Sequence, residues 1–204
     1  MIEVDRAAFL RLGAAGTSGL VASALAPAVA GAGLPAPSPQ DDDVGFLSFA
    51  TVGERASRDV YRAARAARGA GFGAGERAYL ARVAAAKRAH VIRLDAALGA
   101  DAPLTEDFAT VLPRGATRTR SRALALAAQL EQLLVGVYLN GVAYAADPAT
   151  RLLLGRLLVF DGQVLGWLRR HRGGASPAGL PSPIDLEAAS ARLDRYLTTP
   201  DFPD

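Results

Sequence analysis

Residues 83–94 read VAAAKRAHVIRL. They hold Lys87, the single lysine among 23 lysines and arginines, and His90, one of 2 histidines. Leu80, Val83, Lys87, His90, Leu94 and Ala97 recur at steps of three and four, the spacing of one face of an α-helix. A lysine and a histidine in a row that is otherwise apolar mark either a solvated helix edge or a polar site inside a helical bundle. Which of the two holds depends on what the rest of the chain supplies at the same height.

The chain has 204 residues, room for one domain and its appendages, and 50% of them are hydrophobic while only 6% are aromatic. Ala, Leu and Gly dominate the apolar set and Val is the only common β-branched residue, which favours helix over sheet. With 0 cysteines the chain can form no disulfide, thiolate metal site, lipid-modified cysteine or thiol nucleophile. The formal net charge is +3. Arg55, Arg58, Arg62 and Arg65 fall on one helical face with Arg68 a step further on, and the pattern reads as a solvated face. Nucleic acid is not expected as a partner, since that would want a denser basic footprint with interleaved aromatics. Acidic lipid headgroups fit better than nucleic acid because of the N-terminus.

The first 30 residues read as an export signal or membrane anchor: Arg6 and Arg11 precede a mildly apolar run, and Ala26-Pro27-Ala28 and Ala28-Val29-Ala30 offer small-residue cleavage patterns. Residues 5–11, DRAAFLR, resemble the twin-arginine export signal, with Ala7 where the second arginine would stand. The expected location is therefore exported: periplasmic, cell-surface or extracellular, with membrane association through the N-terminus left open. Residues 31–43, ending in PAPSPQDDD, read as a linker.

From residue 44 onward the periodic segments are long. Helices are expected over residues 44–68, 76–98, 118–145 and 150–172, with a final short helix over 184–197 packing through Leu186, Leu193 and Leu197. The first two are separated by GAGFGAG and the last two by ADPAT, whereas a long connection, residues 100–117, joins the pairs. Short turns within pairs and a long crossover between them specify an all-α four-helix bundle of two antiparallel hairpins over residues 44–172, followed by a tail over 173–204.

The two halves carry one signal. Glu54 precedes Tyr61, and Glu131 precedes Tyr138, both at E-x6-Y spacing and both on lines of apolar or small residues. A buried carboxylate costs several kcal/mol unless it is paired or bound to a cation. In an antiparallel hairpin, residues equally far from the turn stand level. Glu54 is then level with His90, Lys87 is one turn nearer the loop, and Glu131 is level with the stretch from Asp161 to Val164. The polar residues of four apolar faces converge near the middle of the bundle.

This arrangement resembles the ferritin-like superfamily, and is similar in particular to exported bacterial ferritin-like proteins and desiccation-related proteins, through the opening FLSFATVGERASRDVY at residues 46–61 and the alternation of connections. The resemblance implies a di-metal site with a glutamate from the first and third helices and a Glu-x-x-His from the second and fourth. Glu54 and Glu131 match the single glutamates and His90 the second-helix histidine, while Asp161 stands one methylene short at the fourth-helix glutamate. Lys87 and Val164 occupy the two remaining ligand positions, so the implied site is degenerate.

Two functional readings follow. In the first, the protein is not an enzyme, holds no cofactor, and uses the bundle as a structural or interaction module in which Lys87 neutralises Glu54, Glu131 or Asp161. In the second, Glu54, His90, Glu131 and Asp161 form a residual single-metal or asymmetric site for Fe, Mn or Zn with weak oxidase activity. A scaffold of another lineage, with Lys87 and His90 at a helix edge, is the third alternative. The partner is not legible, and a homodimer is left open. Ser57 and Ser121 have no evident histidine to activate them. His171 reads as a helix C-terminal cation, GAGFGAG as a turn rather than a phosphate loop, and Trp167 as packing.

Overall fold

The computed structural model describes residues 42–105, 107–172 and 179–198. The expected export signal and nearly all of the linker lie outside the described residues. Four long helices form the bundle: α1 (Asp43–Ala66), α2 (Ala74–Leu98), α3 (Arg120–Tyr144) and α4 (Pro148–His171). A short α5 (Leu186–Leu193) follows. α1 packs along α2, α3 along α4, and α1 against α3 joins the two hairpins.

Each start has a local cause. Asp42, Thr119, Asp147 and Asp185 accept N–H groups from Gly45, Arg122, Thr150 and Ala188, and so cap α1, α3, α4 and α5. At α2 the Glu76 carboxylate reaches back to the Gly73 N–H. The bundle therefore begins before residue 44. Asp42 is the cap, and Asp43, read from sequence as linker, accepts from the Ala146 and Asp147 N–H groups at 2.7 Å each and ties the start of α1 to the α3–α4 turn. α1 stops at Ala66, short of the expected Arg68, which falls in a 3-10 turn closed by left-handed Gly71. The final helix is also shorter than its pattern: Leu186 and Leu193 are buried, but Leu197 pairs with Thr110 in a two-stranded antiparallel ladder of Ala109–Thr110 (β1) with Leu197–Thr198 (β2).

α3 is long and apolar enough to cross a membrane, yet 83% of its most apolar window is buried in the bundle. Its apolarity is explained by the core. Close approach of α1 to α3 depends on Gly53, where a Cβ would stand 2.6 Å from Leu134 Cδ2. The largest fully buried side chains include Tyr61, Tyr138, Phe46 and Lys87. An alkylammonium thus sits in the middle of an apolar core.

Candidate functional site

The row Leu80, Val83, Lys87, His90, Leu94 faces the interior, ending at Leu98 rather than at Ala97, which is exposed. Lys87 is 0% exposed, as are Glu54, Glu131 and Asp161, and His90 is 7% exposed. The helix-edge alternative is thereby overturned. Lys87 Nζ donates to Asp161 Oδ1 at 2.7 Å, to Glu54 Oε1 at 3.1 Å and to Glu131 Oε2 at 3.1 Å. Three donors meet three carboxylates from α1, α3 and α4, so the ammonium's hydrogen-bonding capacity is filled.

The two tyrosines close the site in a crossed pattern that sequence spacing did not reveal. Tyr61 Oη on α1 donates to Glu131 Oε1 at 3.0 Å on α3, and Tyr138 Oη on α3 donates to Glu54 Oε1 at 2.8 Å on α1. Seven residues is two helical turns, so each E-x6-Y unit sets its tyrosine and glutamate on one face, and antiparallel-related halves exchange them. Ser57 Oγ also donates to Glu131 Oε1, at 2.7 Å. Ser57 is thus a carboxylate ligand in the core and not a nucleophile. His90 Nδ1 lies 3.0 Å from Glu54 Oε2, and its ring meets Phe160 edge-on at 4.8 Å. Val164, at the remaining expected ligand position, is buried and offers no donor atom.

The charges do not cancel. Three carboxylates face one ammonium, an excess of two negative charges if all three are ionised. Burial pushes the Glu54 carboxyl up, but the Lys87 and His90 contacts outweigh it and hold the group at about 2. Burial raises Asp161 well above the usual range, the Glu54 charge adds to this, and Lys87 only partly opposes it. Glu131 is raised by burial, with Lys87 opposing and Glu54 reinforcing. Lys87 itself is raised, since its three carboxylates outweigh the burial that would lower it. Both tyrosines are raised well above 10 by burial and then by the neighbouring glutamate charge, so they remain donors. Among the three carboxyls, Glu54 is thus held ionised most strongly and Asp161 is the one whose charged form burial disfavours most openly.

Not all oxygens are used. Asp161 Oδ2 is buried with no hydrogen-bond partner among the described residues. One ligand atom each from Glu54, His90 and Asp161 lies within 4.8 Å of the others. Glu131, expected with them, falls outside that grouping, and both its oxygens are engaged, by Ser57 and Tyr61 on one side and Lys87 on the other.

A four-helix bundle with paired hairpins, a long crossover and mid-height carboxylates on α1 and α3 defines a ferritin-like class of protein. Comparison with protein families matches residues 42–174 to the ferritin-like domain. The chain belongs to that family. No curated protein and no solved structure matches it significantly.

Proposed function

We propose that this is an exported ferritin-like bundle protein that has lost part of the family's di-metal site and serves as a non-catalytic structural or interaction module. The observation that carries the reading is the position of Lys87 Nζ, within 3.1 Å of carboxylates from three helices. Two divalent ions do not fit this set of residues. A fixed ammonium stands among the carboxylates that would have to hold them, and Val164 supplies no imidazole. The ammonium instead performs the metal's structural task of allowing buried carboxylates to meet, though with a single positive charge. No reaction step is derived for such a centre. The export part rests on residues 1–30, with their arginine-flanked apolar run and small-residue cleavage patterns.

One observation favours a second reading. Asp161 Oδ2 has no hydrogen-bond partner among the described residues and lies in a group with Glu54 and His90 that has oxygen and imidazole donors suited to a single Fe, Mn or Zn ion. In that case the protein is a metal binder or weak oxidase with an asymmetric site.

Metal analysis of purified protein after loading with Fe, Mn and Zn and exhaustive dialysis separates the two. The first reading expects far less than one ion per chain, and two ions retained per chain would refute it. One ion per chain, lost in His90→Ala, would establish the second.

A further inference from the structure

The end of the bundle where α1 and α4 stop and α2 and α3 start carries a charge pattern unrelated to the core. Arg62, Arg65, Arg68 and Arg77 line an open groove of about 560 Å³ beside the α1–α2 turn. Arg77 is anchored there, donating to the carbonyls of Arg65 at 2.8 Å, Phe72 at 3.2 Å and Arg68 at 3.3 Å, which satisfies carbonyls left open at the end of α1 and in the turn. Arg62, Arg65 and Arg68 are exposed. Arg62 meets Asp59 only at 3.9 Å, and no carboxylate pairs with Arg65 or Arg68 among the described residues.

The neighbouring helix ends extend the pattern. Arg118 and Arg122 flank the start of α3, and Arg169, Arg170 and Arg172 the end of α4. Glu76 is the only acidic residue in segments 60–80, 112–122 and 165–172, and Arg120 already engages it at 2.6 and 2.8 Å. Guanidiniums gathered from four helix ends repel one another, and planar forks of this kind match phosphate oxygens.

We propose that this end of the bundle docks on an anionic phospholipid surface, with Arg62, Arg65 and Arg68 meeting headgroup phosphates. A second copy of the chain fits less well, because the opposite end offers few open acids: Asp42 and Asp147 cap helices, Asp43 holds the α3–α4 turn, Asp95 pairs with Arg55, and Asp101 is exposed there without a partner among the described residues. A nucleic acid fits less well too. The rings at this end, Tyr79 and Trp167, are stacked on each other at 4.0 Å, and Trp167 on His171 at 4.0 Å, so they are already occupied with one another instead of with bases. The inference stands whether or not the core holds metal.

The test is sedimentation of the full chain with vesicles of phosphatidylcholine alone and of phosphatidylcholine mixed with phosphatidylglycerol. The wild type should bind the mixed vesicles more tightly, and high salt should remove the difference. Arg62→Gln/Arg65→Gln/Arg68→Gln should weaken binding to the mixed vesicles on the order of a hundred-fold, at about five-fold per arginine, and leave any leader-driven binding to neutral vesicles unchanged. The corresponding triple lysine variant should stay within a few-fold of wild type. If the glutamine triple does not fold, Arg68→Gln alone should still lose about five-fold. Equal binding of wild type and the glutamine variant to mixed vesicles would overturn the proposal. So would displacement of wild type from them by millimolar inorganic phosphate, which would mean a soluble ligand, or salt-sensitive self-association without vesicle binding, which would mean a second copy.

Discussion

Lys87 is held by three carboxylates whose mutual repulsion it relieves, so its removal has a larger effect than the loss of its contacts. Lys87→Ala should destabilise the fold by about 3–5 kcal/mol, because it strands buried negative charge. Lys87→Glu should be worse in the absence of metal and should be rescued by added Mn or Zn, since it places a glutamate three residues before His90; binding to the native state alone stabilises it. Thermal melts of the three proteins with and without metal check both, and a Lys87→Ala protein melting with wild type would contradict the ion-paired core. The opposed shifts of Glu54 and Asp161 give a second prediction. Glu54, held at about 2 against a usual 4.5, contributes stability above pH 4.5 that is lost as pH falls toward 2. Asp161, raised well above 3.8, does the opposite: its contribution is complete below about pH 4 and is lost as pH rises toward its folded value. Relative to Asp161→Asn, wild type should therefore lose up to about 1.4 kcal/mol per pH unit from pH 4 upward. Chemical denaturation from pH 4 to 8 reads the difference, and a flat difference would contradict a raised Asp161.

Within the elements, helix identity follows from local chemistry but helix spacing does not. Gly53 and Gly155 are both mid-helix glycines, equivalent by propensity, which alone predicts that alanine stabilises each by up to about 1 kcal/mol. Their neighbours distinguish them. At Gly53 a Cβ would stand 2.6 Å from Leu134 Cδ2 in the α1–α3 seam, whereas at Gly155 the nearest atom is Val142 Cγ2 at 3.9 Å. Gly53→Ala should cost about 1–2 kcal/mol net as overpacking outweighs propensity, and Gly155→Ala should stabilise by about 0.5–1 kcal/mol. Urea midpoints of the two variants check the opposite signs. The short tail illustrates the same limit. Leu186, Leu193 and Leu197 share a helical spacing, but Leu197 finds a backbone partner in Thr110 and leaves the helix.

For the whole molecule, the expectation from the leader is that the folded body ends up outside the cytoplasmic membrane. Cell fractionation should find it there, released or tethered, and a full-length chain soluble in the cytoplasm would refute export. Ala7→Arg, which completes the arginine pair, should raise export if the twin-arginine route is used and leave it unchanged if the general route is used.

Much of this architecture was legible because helical periodicity, caps and the alternation of short and long connections are local signals. Distance from a turn then places Glu54, Lys87, His90, Glu131 and Asp161 within about a helical turn of one another near mid-bundle. What remained was lateral. Height along a hairpin says nothing about which of three carboxylates an ammonium touches, and Lys87 reaches all three only because α1, α3 and α4 surround α2's inward face. The exchange of Tyr61 and Tyr138 between halves, the recruitment of Ser57 and the separation of Glu131 from the Glu54, His90 and Asp161 group are likewise set by the distance and rotation of neighbouring helices. Periodicity along a chain determines which residues face inward; packing between chain segments far apart in sequence determines which of them meet.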